Sequence, residues 1–121
     1  MSNPITVTLP FASPSLNELL RWHWSKRRKY HDHVCMLLRM QVRMHRYAPA
    51  DKRMQMELLR VGKRIIDADN LIGGCKPIVD ALVKETLLVD DSPKWLDGSY
   101  SQLVDRRSQW TQIILYPWDG H

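Results

Sequence analysis

Two segments of the chain place apolar residues at the spacing of an α-helix, so the fold is expected to contain two main helices. In the first, about residues 29–46, these residues recur at i, i+4, i+7, i+8 and i+12. They are Tyr30, Val34, Leu37, Leu38 and Val42. We expect this helix to end near Ala48-Pro49, because the residue before a proline avoids the helical region. The second covers about residues 75–86 after Gly73-Gly74, with Pro77 in its first turn, where proline is tolerated.

Several short segments have the alternation that is typical of β-strands. Ile5 to Leu9 forms one, and Met54 to Leu58 begins another that continues to Ile65-Ile66. Gln109 to Tyr116 is predicted as a further strand, with Tyr100 to Arg106 as its hairpin partner. The expected fold is therefore an α+β domain, a small mixed β-sheet with two main helices. A chain of 121 residues fits a single domain.

Charge is divided unevenly along the chain. Residues 1–66 contain 13 Lys and Arg against 4 Asp and Glu, whereas residues 67–121 contain 5 against 9. A basic half suggests a polyanionic partner, because Lys and Arg on a phosphate backbone release counterions and supply most of the non-specific affinity. An acidic half can hold metal ions.

Aromatic and basic residues alternate between Arg21 and Tyr30, just before the first predicted helix. The basic residues there are Arg21, Lys26, Arg27, Arg28 and Lys29. Together with Trp22 and Trp24 they can contact phosphates and stack on exposed bases, so we predict that this stretch binds DNA. The alternative is a solvated, mobile loop.

Asp67-Ala68-Asp69 follows the second predicted strand directly. In an extended backbone, residues two apart project from the same face, so both carboxylates are expected to point one way. Like charges that close are unfavourable without a cation, and Mg²⁺ takes one or two carboxylates with water and phosphate oxygens. Alternatively, Asp69 caps a helix and Asp67 is solvated. By itself, Asp90-Asp91 before Ser92-Pro93 is typical of a turn.

In combination these elements resemble the RusA family of Holliday junction resolvases. That family has an acidic DxDNL element, a lysine, a DAL helix and a terminal DD. The chain has them in this order at Asp67–Leu71, Lys76, Asp80–Leu82 and Asp90-Asp91. An N-terminal strand, a Pro-Ser-x-Asn loop, a basic segment and a long helix extend the resemblance over nearly the whole chain.

The resemblance implies a role for each matched residue. Asp67, Asp69 and Asp91 would bind the catalytic Mg²⁺, with Asp90 as the alternative to Asp91. Lys76 would match the essential lysine. Ile72–Cys75 intervene between the DNL element and this lysine, where compact family members have almost nothing, so Lys84 is the alternative.

The implied activity is Mg²⁺-dependent cleavage of four-way DNA junctions by a symmetric homodimer, in which two sites related by a two-fold axis nick opposing strands. Two other functions stay open. One is a non-catalytic protein that binds branched or single-stranded DNA, and the other is a nuclease of the same fold that acts on flaps or forks. Met36, Met40 and Met44 lie at i+4 spacing and are expected to pack in the core or in a dimer.

The apolar runs and the cysteines of the sequence predict the cellular location of the protein. Because no apolar run approaches the roughly 18–20 residues of a membrane span, we expect a chain that neither crosses a membrane nor is secreted. Cys35 and Cys75 lie 40 residues apart without a partner pattern, so neither a disulfide framework nor a zinc site is indicated. A reducing cytoplasm is the expected location.

Overall fold

In the computed structural model, which describes residues 4–118, strands and helices are mixed along the chain. The elements are β1 Ile5–Leu9, α1 Leu16–Arg21, α2 Trp24–His45, β2 Met54–Gly62, α3 Ala68–Gly74, α4 Lys76–Lys84, β3 Leu96–Val104 and β4 Trp110–Pro117. The predicted α+β class with a small mixed sheet is confirmed. The described part of the chain contains no helix that is both long enough and apolar enough to cross a membrane.

The sheet has the strand order β1-β4-β2-β3. β4 is antiparallel to both β1 and β2, whereas β3 is parallel to β2. The predicted hairpin between residues 100–106 and 109–116 is therefore wrong. β4, which carries the fully buried Ile113 and Leu115, has a central position between β1 and β2. The more polar β3 lies at the edge, and the helices between β2 and β3 provide the crossover that a parallel pair requires.

One face of the sheet is covered by helices and forms the core. Residues two apart on each strand point into it. The buried cluster includes Val7, Leu9, Met56, Leu58, Ile113 and Leu115 from the sheet, Val34 and Leu38 from α2, and Ile78 and Leu82 from α4. The apolar periodicity of both predicted helices therefore faces this core.

α2 begins five residues before the predicted helix start at Lys29. His23 is its N-cap, and the His23 ring Nδ1 accepts a hydrogen bond from the Ser25 backbone N–H at 3.2 Å. Most of the basic-aromatic stretch is consequently helical, and the interpretation of this stretch as a loop is wrong. The helix ends at His45, and its C-cap, Arg46, has a left-handed backbone with φ of 56°, as is common at helix C-termini.

Three methionines on α2 are exposed. Met36, Met40 and Met44 have exposed fractions of 45%, 54% and 70%. The expectation that they pack in the core of the subunit is thus wrong, and dimer packing remains the open part of that prediction.

Candidate functional site

Asp67 caps a helix instead of ending a strand. β2 stops at Gly62, so the strand predicted to reach Ile66 is too long, and Asp67 is the N-cap of α3. Its Oδ1 accepts from the Asn70 backbone N–H at 2.9 Å, and its Oδ2 accepts from Asn70 Nδ2 at 3.0 Å. These bonds, the backbone one first, lower the pKa of the Asp67 carboxyl, so it is ionised at neutral pH.

Asp69 lies in the first turn of α3 and is exposed. The two carboxylates are not side by side on an extended backbone, as the strand interpretation predicted, because Asp67 has cap geometry and Asp69 is helical. The alternative from the sequence was half right: an aspartate caps the helix, but it is Asp67. A carboxylate in the first turn also interacts favourably with the positive end of the helix dipole.

Asn70 ties the acidic element to the N-terminal loop. While its backbone and amide N–H groups bind Asp67, its Oδ1 accepts from the Asn17 backbone N–H at 2.9 Å. Asn17 belongs to the short helix α1, which starts with a capping box formed by Ser15 and Glu18. The Pro-Ser-x-Asn loop and the DNL element are therefore one bonded unit.

Gly73 and Gly74 allow that unit to pack closely. A β-carbon at Gly74 would collide with the backbone carbonyl of Pro14. One at Gly73 would lie nearest to side-chain atoms of Leu16, with Cδ2 at 2.9 Å, Cβ at 3.1 Å and Cγ at 3.2 Å. The residues between the DNL element and Lys76 thus serve as the surface on which the N-terminal loop rests.

We expect Gly74→Ala to lower the free energy of unfolding by about 1–3 kcal/mol, the usual cost of overpacking, because the backbone of the N-terminal loop has to move. Gly73→Ala is the matched control. It gains up to about 1 kcal/mol of helix propensity, which offsets the displacement of Leu16. Urea unfolding of both variants measures the difference, and equal stability of the two would contradict this account of the loop contact.

Lys76 lies between two carboxylates. Its Nζ is 3.4 Å from Asp80 Oδ1 and 3.5 Å from Asp91 Oδ2. Asp80 first, and then Asp91, raise the pKa of the Lys76 amine. The structure therefore brings together two residues that the sequence singled out, Lys76 and Asp91, across α4 and the turn that follows it.

The neighbouring alternatives, Asp90 and Lys84, do not take part in the Lys76–Asp91 ion pair. The pKa of the Asp90 carboxyl is lowered, first by the Ser92 side chain and then by the backbone of Asp91. Lys84, at the end of α4, is close enough to Cys35 of α2 for its charge to act on that thiol. Among these residues, only Asp91 and Lys76 form an ion pair.

Carboxylate oxygens are suitable ligands for a hard cation, but within the described chain the acidic side chains near α3 do not form a complete metal-binding site. Among residues 4–118, no three His, Cys, Asp or Glu side chains are grouped closely enough to hold a metal ion. Asp67 and Asp69 are nevertheless exposed carboxylates two residues apart. Carboxylate oxygens are the donor type that Mg²⁺ prefers, and this ion usually takes only one or two carboxylates and completes its shell with waters and substrate phosphates.

Asp67 opens onto a polar groove of about 450 Å³. Three arginines line the same groove, Arg21 from α1, Arg60 from β2, and Arg64 from the turn before α3. Arg21 belongs to the predicted DNA-binding set, whereas sequence reasoning missed the other two. The alternation Met54, Met56, Leu58 along β2 already points residue 60 inward, and that signal could have found Arg60.

The other predicted DNA-binding residues, Lys26, Arg27, Arg28 and Lys29, are exposed in the first turns of α2. Consecutive helical residues are about 100° apart around the axis, so these four cannot all face one DNA backbone. Lys26 Nζ lies 4.5 Å from the centre of the Trp22 ring, a cation–π contact that holds this amine beside α1.

No protein-family model matches the chain, and no curated protein matches it either.

Proposed function

We propose that the chain is a Mg²⁺-dependent, structure-specific endodeoxyribonuclease of the RusA type, which cuts branched DNA such as four-way junctions. The observation that carries the proposal is a single groove that is lined both by the ionised Asp67 carboxylate and by three arginines, Arg21, Arg60 and Arg64. Arginines bind phosphates, whereas a carboxylate beside a phosphate is repulsive unless a cation lies between them. A metal-assisted phosphodiesterase needs both kinds of group in one place.

Asp67 and Asp69 would hold the metal, and Asp91 is the third carboxylate of the proposed set. Bound there, Mg²⁺ supplies an activated water and neutralises charge on the phosphate oxygens and the leaving 3′-oxygen. Asn70 orients the Asp67 carboxylate through two hydrogen bonds. The groove arginines would bind and orient the DNA backbone around the scissile phosphate.

Lys76 contributes a fixed positive charge. Because its two carboxylate partners raise the pKa of an amine that is already basic, Lys76 stays protonated at neutral pH and cannot act as a general base. An ammonium group near Asp91 can instead stabilise negative charge that develops in the transition state.

We further propose that the active species is a homodimer in the cytoplasm. The exposed Met36, Met40 and Met44 form an apolar stripe along α2, which supports a partner on this helix. Two copies related by a two-fold axis match the symmetry of a four-way junction.

A protein that binds branched DNA without cutting it is the second candidate. Asp91 pairs with Lys76, and three carboxylates are not gathered within residues 4–118, which favours this alternative. The two candidates differ in their response to metal.

An incision assay distinguishes the nuclease from the non-catalytic binding protein. The protein is incubated, in Mg²⁺ or in chelator, with a labelled four-way junction, replication fork, flap or linear duplex. We expect incision of branched substrates in Mg²⁺ only, with binding preserved in chelator. Binding to every branched substrate without any incision in Mg²⁺ would identify a non-catalytic binding protein.

A further inference from the structure

A second cavity adjoins the groove that contains Asp67. It has a volume of about 710 Å³, within the range of small-ligand sites, and shares Glu18, Arg60 and Arg64 with the groove. Lys63 adds a further cation to its lining. Three cationic side chains and one carboxylate, that of Glu18, therefore line the cavity. An oxygen of the Glu18 carboxylate accepts a hydrogen bond from the Ser15 backbone N–H in the capping box of α1.

Four aromatic rings line this cavity. Trp22 and Tyr30 have ring centres 5.4 Å apart, Tyr30 and Phe11 5.6 Å apart, and Phe11 and His33 5.8 Å apart. The rings come from the loop after β1, the junction between α1 and α2, and α2 itself. The fold thus gathers separate segments into one continuous aromatic wall.

Arg60 lies between the cavity and the groove and is only 7% exposed. Its Nε donates to the Ser13 carbonyl at 2.8 Å and its Nη1 to the Arg64 carbonyl at 3.2 Å. Within residues 4–118 it forms no ion pair. Burial lowers the pKa of Arg60, and the charge of Glu18, which lines both spaces, raises it, but this carboxylate is not paired directly with the guanidinium. A buried cation without a direct ionic partner is unfavourable, so an anion from outside the chain would stabilise it.

We propose that this cavity holds one unpaired nucleotide of the DNA substrate, with its base against the aromatic wall and its phosphate at Arg60. A simple anion would leave the rings unused, and a neutral aromatic compound would leave Arg60 without a counter-ion, whereas a nucleotide satisfies both. Aromatic rings and a basic groove are the combination by which proteins bind single-stranded DNA.

The shared lining determines where the nucleotide lies relative to the proposed chemistry. Because Arg60 and Arg64 face both spaces, a strand whose base enters the cavity has its backbone beside Asp67. This step rests on the proposed function. Binding in this cavity therefore requires an unpaired nucleotide at the branch point, whether the substrate is a four-way junction, a flap or a fork, and places the cut beside that nucleotide.

The test measures binding in chelator, where no cleavage occurs. The probes are a labelled short oligothymidylate, the same strand with abasic sites, and thymidine monophosphate as competitor. We expect the abasic strand to bind the wild-type protein roughly tenfold to hundredfold more weakly, the range for loss of base–aromatic stacking. Trp22→Leu should remove this preference for bases. Trp95→Leu is the matched control, since Trp95 lies directly before β3 and does not line the cavity, and it should keep the preference.

His33→Ala, at an exposed lining residue, provides a second variant that should weaken the preference if Trp22→Leu fails to fold. Equal binding of both strands by the wild-type protein, or a preference retained in the variants, would overturn the proposal. Mononucleotide that binds as tightly as the strand would assign the cavity to a free nucleotide instead of DNA. Base-dependent binding without incision in Mg²⁺ would overturn the nuclease alone, and incision without base preference would overturn the nucleotide cavity alone.

Discussion

Asp69→Asn is expected to reduce junction cleavage in Mg²⁺ by several orders of magnitude while the fold and the affinity for DNA stay unchanged. Asp69 is exposed in the first turn of α3, and the amide has the same shape, so the substitution removes only the charge of a metal ligand. Rates of incision and Kd values in chelator, measured on the same labelled junction, separate the two effects. Asp97→Asn, at an exposed carboxylate on the edge strand, is the matched control and should cut at the wild-type rate.

Unimpaired incision by Asp69→Asn would exclude the metal assignment. The same assay distinguishes two adjacent carboxylates. Asp91 faces Lys76 at 3.5 Å, whereas Asp90 forms no ion pair with this lysine, so Asp91→Asn should lose cleavage and Asp90→Asn should retain it. The reverse result would mean that the turn after α4 presents Asp90 to the metal.

Alternation and helical spacing predict the buried layers of this domain well. β1 occupies the predicted residues 5–9, and the apolar stripes of residues 30–42 and 78–83 lie on α2 and α4, the two helices that cover the sheet, although α4 is shorter than the predicted 75–86. These patterns are reliable because burial of one face imposes a period of two on a strand and of 3.6 on a helix.

The errors arise where tertiary contacts or caps decide the structure. α2 starts early because a histidine, outside the usual set of N-cap residues, accepts the Ser25 N–H. The hairpin prediction failed because β3 follows two helices after β2 and returns parallel to it, which leaves β4 free to enter the centre of the sheet. Strand alternation alone carries no information about which strands pair.

The candidate site was predictable only where its residues belong to a sequence motif. The sequence motifs pointed to Asp67, Lys76 and Asp91, and the structure pairs the last two. Arg60 was missed because a single arginine in a strand has no recognisable motif. Its position depends on a hydrogen bond to Ser13, a residue 47 positions away in the chain.

Mixed dimers of wild-type and Asp69→Asn subunits should cut one strand of a supercoiled cruciform and leave it nicked. Wild-type dimers should convert the same substrate to linear DNA, because two identical sites act on opposing strands of a symmetric junction. Subunits carrying different affinity tags allow the heterodimer to be isolated, and agarose gels separate supercoiled, nicked and linear products.

The product changes from linear to nicked DNA, which is a qualitative difference. It therefore distinguishes two cuts made by one dimer from two cuts made in separate binding events. A Met40→Lys substitution probes the proposed interface directly, since Met40 lies in the exposed stripe of α2 and a charge there opposes apolar contact without disturbing the core. It should shift the protein to monomer in sedimentation and yield nicked product only. A wild-type protein that sediments as a monomer at fully active concentrations would refute the two-fold mechanism and identify a nuclease that makes single nicks.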